Sequence, residues 1–555
     1  MLDNIKSLKI LKVALAFLEQ GKKLKLLKYN KRMQGKLYIG IEDIKNYVAE
    51  KYKLLKELNK EYKLDIKDFD ISILNISHKY GINPLVEGLN KLKFKEMKEL
   101  NISSNFMLNI DYLAKSKFEK LEILNLNNNK ILDINIFQKM NFRALKTLYL
   151  SKNEISNLNV LDKVKFVKLG KLDLSHNYIS DINILEKVDF KELKELCLNS
   201  NLIKDIRVLE NVKFKNLERL NLGDNSITDI NILEKVNFKE LKELYLNSNR
   251  ITDIRVLEKV KFENLEILNL KGNQIINYDI LSFLNFSFLK KLYLEFNKHS
   301  DNNSIEKIKL KELKEFYLYI NDISDISIFE TFNFDNLEIL DLSEFYNLSD
   351  INFLEKINFK ELKELYFYKN RIANIKIFEK IKLEKLEILS LGENNISDID
   401  ILAKVNFPEL KELYLNSNKI SNIKVLEEVN FEKLEVLNLS KNQISIIDSF
   451  YGAKFNDLKK LYLSMNEISD SSALDKFYKL EILYLDNNNI SDIEFLRYFK
   501  ELKVLYLLNN QISDITVLMK IKGLKILNIE YNNIREKENF YIINQLKYGI
   551  PDFRI

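Results

Sequence analysis

The chain has 555 residues, 46% of them hydrophobic and 30% charged, so it is too long for one ordinary compact domain and too apolar to stay unfolded. Twelve glycines and three prolines leave little for flexible linkers, and the single cysteine, Cys197, excludes an internal disulfide framework and predicts a reducing, cytoplasmic setting. The net charge of +6 is lopsided: residues 1–67 carry seventeen Lys and Arg against eight Asp and Glu, so the rest sums to about −3 and lacks the basic excess that nucleic acid attracts.

No uncharged apolar run is long enough to span a bilayer, and no membrane partner is expected. At the start, MLDNIKSLKILKVALAFLEQGKK sets basic residues before an apolar patch, but Lys12 interrupts it and no small-residue cleavage site follows. An amphipathic helix is therefore expected there, not a secretion signal. Residues 1–66 divide into SLKILKVALAFLEQ, KLKLLKYNKRMQ after Gly21, and IEDIKNYVAEKYKLLKELNK, which opens on acidic residues as helices do. This small all-helical region suits a cap. Through Ile10, Leu11, Phe17, Leu18, Leu24, Leu27 and Tyr29-Asn30-Lys31 it also resembles the F-box, although Ile5-Lys6 stands where that family opens with Leu-Pro. The resemblance implies a ubiquitin-ligase adaptor as a partner for residues 1–66.

Residues 67–104 read as degenerate opening repeats, with Lys79 at the key position of LNISHKYGINPL. From there to 532 the pattern L-x-x-L-x-L-x-x-N recurs. Its anchors step by 24 residues through Asn105, Asn129, Asn153, Asn177, Asn201, Asn225, Asn249, Asn273, Asn297 and Asn321. Phe345 takes the next place in a 25-residue copy; Asn370, Asn394, Asn418, Asn442 and Asn466 resume the step, and Asn488, Asn510 and Asn532 are 22 apart. A fixed period of this kind marks stacked units too thin to fold alone. The spacing resembles the leucine-rich repeat family, and the ISDIxxLEKV segment is most similar to the short subclass of internalins and of a protein phosphatase 1 regulatory subunit. That resemblance implies an α/β solenoid: a curved array with a parallel β-sheet on the concave face and short helical segments on the convex one.

One copy shows why. In LKELYLN apolar residues alternate with others, so Leu244 and Leu246 face inward while Glu243, Tyr245 and Asn247 face out. Asn249 follows where the chain turns, and its amide is placed to satisfy backbone groups left unpaired there. In ITDIRVLEKV the period becomes helical, with Ile254, Leu257 and Val260 inward and Asp253 placed to cap. Three residues before each strand leucine comes a phenylalanine, at 118, 142, 166, 190, 214, 238, 262, 286, 334, 359, 407, 431 and 455, with Leu310 and Leu383 as exceptions. Such a column reads as a packed spine.

The outward place between the strand leucines is free of core constraint. It holds Tyr149, Tyr245, Tyr293, Tyr317, Tyr366, Tyr414, Tyr462, Tyr484 and Tyr506, often alternating with small polar residues such as Asn221 and Asn269, and with Cys197. Glutamate and isoleucine alternate two places earlier. The unit of duplication is thus a pair of repeats, which explains why LKELYLNSN at 241–249 returns at 410–418. Tyrosine combines a large apolar ring with a polar tip and is enriched in hot spots, so the row is a candidate partner-binding strip; its alternative role is a cross-strand ladder that stabilises the sheet. The copy around His299, with Asp301-Asn302-Asn303, and the copy at Phe345 read as local loops. Residues 533–555 read as a closing C-terminal helical cap.

No catalytic constellation emerges. His78, His176 and His299 lack metal-ligand spacing, and neither a phosphate-cradling loop nor a dinucleotide fingerprint is present. A non-catalytic scaffold that binds a protein or peptide on its concave face is expected, with no cofactor and no metal. The alternatives are an F-box-like substrate receptor and a phosphatase regulatory subunit.

Overall fold

A computed structural model of the chain describes residues 73–75, 97–115, 118–276, 286–296, 312–320, 335–345 and 347–555. The three N-terminal helices read from residues 1–66 therefore lie outside the described residues, as do Lys79, His78, His299, Asn297, Asn321, Leu310 and Phe334. The chain divides into two compact units, residues 1–169 and 170–555.

Both units are built in the same way. In the first, strands Ile73–Asn75, Glu99–Asn101, Ile123–Asn125 and Thr147–Tyr149 pair in parallel, each in register with the next. In the second, a parallel sheet starts at Lys171–Asp173 and runs one strand per repeat to Ile526–Asn528. Register follows the repeat: Leu220 lies beside Leu244, and Leu244 beside Leu268. Most strands are three residues long, as at Glu243–Tyr245. Two are longer, Lys291–Phe296 and Glu315–Ile320, and they pair over six residues.

Among the described residues, the opposite side of a coil is a 3₁₀ turn of four to six residues, such as Arg255–Glu258. Asp253 Oδ1 accepts the Arg255 N–H at 2.9 Å, so the aspartate holds the first residue of the turn from two residues before it, while the cap position itself is Ile254. A three-residue period fits this tighter helix, in which Leu257 N–H donates to the Ile254 carbonyl. Of the expected inward set, Ile254 and Leu257 are buried but Val260, which lies beyond the turn, is only half-buried, and Val256 is buried as well.

The core is a set of columns running from coil to coil. Leucines such as Leu244 and Leu246 are fully buried, and the phenylalanines stack upon one another, with ring centroids 5.6 Å apart for Phe142–Phe166 and 5.8 Å for Phe190–Phe214. This column continues into the 22-residue coils through Phe477 and Phe499, both buried, and Phe455–Phe477 stack at 6.3 Å. The C-terminal segment does more than the helix read from its sequence. Helix Glu536–Gly549 is followed by the strand Asp552–Arg554, which pairs in parallel with Ile526–Asn528 and extends the sheet by one more strand.

Candidate functional site

The site begins with what holds the strand face in shape. Asn249 is 6% exposed; its Nδ2 donates to the carbonyls of Leu222 in the preceding coil (3.0 Å) and Leu246 in its own (3.1 Å), while its Oδ1 accepts Ile227 N–H at 3.0 Å. Asn418 repeats this set with Leu391, Leu415 and Ile396. In the shorter coils Asn510 still reaches Leu485, Leu507 and Ile490, so the two missing residues are lost from the 3₁₀ side and not from the strand side. Asn225 and Asn532 make the same bonds but are only half-buried. In every coil with a described anchor position, the residue just before it adopts a left-handed backbone, as at Ser248 with φ 53°.

The irregular copy breaks this bonding pattern in one place. Glu344 keeps the left-handed turn, so Phe345 occupies the anchor position, where it is buried but has no amide to offer. Asn370 in the next coil still donates to Leu342 and Phe367. The Leu348 N–H, whose counterparts bond the next anchor, turns instead to the Phe345 carbonyl, and Asn370 Oδ1 is left buried without a hydrogen-bond partner.

Along the strand face of the second unit, the residue preceding each strand alternates in charge from Lys194 to Lys290 and again from Lys314 to Lys503. Glu218 lies between Lys194 and Lys242 at 2.6 and 2.7 Å, and Glu338 lies between Lys314 and Lys363, both at 2.7 Å. These lysines hold the Glu218 and Glu338 carboxyls below the usual range. The alternation needs two coils to repeat, which gives the paired duplication a physical basis: opposite charges on adjacent parallel strands attract, and like charges repel.

The nine tyrosines named above are all half-buried: Tyr149 lies on the strand face of the first unit and the other eight on that of the second. They fall into two settings. Where glutamate stands two residues earlier, it takes the hydroxyl: Tyr245 donates to Glu243 at 3.0 Å, Tyr366 to Glu364 at 2.7 Å, and Tyr414 to Glu412 at 2.6 Å. Burial, then the neighbouring carboxylate, pushes the Tyr245 hydroxyl up to about 12, and Tyr366 and Tyr414 shift the same way. Arg219 also lies over the Tyr245 ring at 5.0 Å. In the last coils of the second unit, where that glutamate is absent, rings meet rings: Tyr462–Tyr484 at 5.0 Å and Tyr484–Tyr506 at 4.4 Å. Tyr293–Tyr317 combines the settings, with rings stacked at 4.3 Å and Tyr317 donating to Glu315.

The small residues between tyrosines have their own work. Asn221 Oδ1 accepts the Gly223 N–H at 3.0 Å, and Asn438 accepts that of Ser440 at 3.1 Å, closing the end of the strand. Cys197 occupies one of these places; burial pushes its thiol up to about 11, which makes it a poor nucleophile. Among the described residues no group of His, Cys, Asp and Glu is arranged to hold a metal, and no helix is long and apolar enough to cross a membrane. On the 3₁₀ side, Ser471 stands where other coils have an inward isoleucine and helps line an open cavity of about 570 Å³ with Asp470, Asp492 and Arg497.

Family profiles described as Leucine Rich repeats (2 copies) match residues 191–235, 215–259, 239–281, 360–404 and 456–498, and two further profiles described as Leucine rich repeat match 408–468 and 289–308. No curated protein matches the sequence significantly. Among solved structures, a leucine-rich repeat protein of Leptospira interrogans is 22% identical with a TM-score of 0.51, covering 81% of this chain and 99% of that one. The TLR13 chain of a TLR13–ssRNA13 complex is 22% identical with a TM-score of 0.56, covering 83% of this chain and 69% of that one. An internalin of Listeria monocytogenes is 23% identical with a TM-score of 0.39, covering 66% and 87%. At these identities the likeness is one of fold.

Proposed function

Taking the chain as the leucine-rich repeat solenoid that its sheet, its anchor bonds and its matches make it, we propose that it is a non-catalytic scaffold whose strand face binds a protein or peptide. Leucine-rich repeat proteins are typically binding scaffolds without catalysis of their own. The observation that carries the reading is the row of half-buried tyrosines held outward on a backbone that the asparagine bonds make rigid. Such rings lose little freedom on binding and offer both apolar area and a hydroxyl. One fold neighbour is solved with RNA, but here each lysine of the strand margin is largely matched by a glutamate, which favours a polypeptide over a phosphate backbone.

Changing Tyr366, Tyr414 and Tyr462 together to serine should cut affinity capture of the partner from the native cell by tenfold or more, with the melting temperature nearly unchanged. A drop in melting temperature with capture intact would assign the row to sheet stability instead. The cytoplasmic setting is supported only by the lone, half-buried Cys197. Docking of a ubiquitin-ligase adaptor is supported by the sequence of residues 1–66 alone, and a purified full chain that fails to retain the adaptor removes it. Phosphatase regulation is supported by analogy of subclass.

A further inference from the structure

The three coils carrying Tyr462, Tyr484 and Tyr506 present a different surface from the others. In the Glu-Leu-Tyr strands a carboxylate stands beside each ring. In strands Ile482–Tyr484, Val504–Tyr506 and Ile526–Asn528 that place belongs to Ile482, Val504 and Ile526, all half-buried and facing out. Beside them the three tyrosines meet in a run over successive strands, as elsewhere only the pair Tyr293–Tyr317 does among the described residues. The change coincides with the drop to 22-residue spacing. The result is two adjoining columns, one aliphatic and one aromatic. Strands about 4.8 Å apart make them roughly 15 Å long, room for about ten residues of helix or four to five of extended chain.

Charge distinguishes the same place. In the second unit, at the residue before each strand and at its first residue, Lys and Arg are held in ion pairs by carboxylates of neighbouring coils, for example Lys171 by Glu195, Lys291 by Glu315, and Lys459 by Glu435. Among the described residues of those two rows, Lys460 and Lys525 are the two without an ion pair, and both are exposed. They flank the aliphatic column, Lys460 at its start and Lys525 beside its end.

We propose that these columns seat a short apolar segment of a partner protein, with acidic residues on either side that meet Lys460 and Lys525. The inference rests on the strand face being the binding surface and adds its location and the chemistry of the occupant. Apolar burial against the columns supplies attraction, and the two unmatched lysines select for acidic flanks.

The test is a random dodecapeptide library displayed on phage and selected against the full chain. Enriched peptides should carry an apolar run bordered by Asp or Glu. A synthetic winner should bind the Lys460→Glu/Lys525→Glu chain and the Tyr484→Ser/Tyr506→Ser chain at least tenfold more weakly, but the Tyr366→Ser/Tyr414→Ser chain within about twofold. The lysine pair is exposed, so its reversal reports on binding even where the tyrosine pair costs stability. No enrichment, enrichment of neutral or basic peptides, or binding indifferent to the lysine reversal overturns the proposal. Winners that depend on Tyr366 and Tyr414 instead overturn the location while leaving the strand-face reading standing; winners indifferent to both tyrosine pairs overturn both.

Discussion

An anchor asparagine such as Asn249 spends its whole amide on backbone groups of two coils, and no other side chain of that size offers both two donors and an acceptor in one plane. Asn249→Ala or Asn418→Ala should therefore lower stability by about 1–3 kcal/mol each, read as a shift in the denaturant midpoint. An unmoved midpoint would refute the anchoring role. The tyrosine hydroxyls make a second residue-scale prediction. Tyr245 ionises near 12 in the folded chain and near 10 when unfolded, so the stability it contributes is complete below about pH 10 and is lost as pH rises toward 12. Ultraviolet titration should show a tyrosine class ionising above 10, and Glu243→Gln should move Tyr245 downward by removing the adjacent carboxylate. A single class titrating at 10 would contradict the burial of these rings. The residue preceding each anchor yielded nothing to sequence reading. Its left-handed backbone is occupied by Lys152, His176, Glu393, Met465 and Tyr531 among others, side chains with no shared preference, because the turn is imposed by the bonds around it.

Between neighbouring elements, the alternating lysines and glutamates are the clearest coupling. Glu338 accepts from lysines on both sides, so Glu338→Lys would place four like charges in a row, from Lys290 to Lys363, ahead of successive strands. The loss should be about 1 kcal/mol at low salt and smaller in high salt, since partly exposed pairs are screened. Equal destabilisation at both salts would mean that packing, not charge, is responsible. The depressed Glu338 carboxyl carries the matching pH dependence: its contribution is present above the ordinary carboxylate range and disappears as pH falls through its lowered folded value. The copy at Phe345 shows the cost of interrupting a column. One extra residue redirects the Leu348 N–H and strands Asn370 Oδ1, an element-scale effect that appears in the sequence only as a change in spacing.

Over the whole chain, stability is shared between neighbouring coils, so damage should remain local. Removing residues 550–555 takes away the strand that covers Ile526–Asn528, and amide exchange should rise in the last one or two coils while coils around Leu244 keep their protection. Loss of protection throughout the second unit would contradict this. The sequence by itself determined the repeat, its inward leucines and phenylalanines, the anchor positions and the outward tyrosines, because each follows from a local periodicity that one coil already displays. It did not reveal the 3₁₀ form of the turns, the return of the last residues to the sheet, the settings of tyrosine, or the two margin lysines left without an ion pair. Those depend on which residues of different coils come to lie side by side, a distance of about two dozen residues along the chain and one strand spacing across it. Only the tertiary structure decided them.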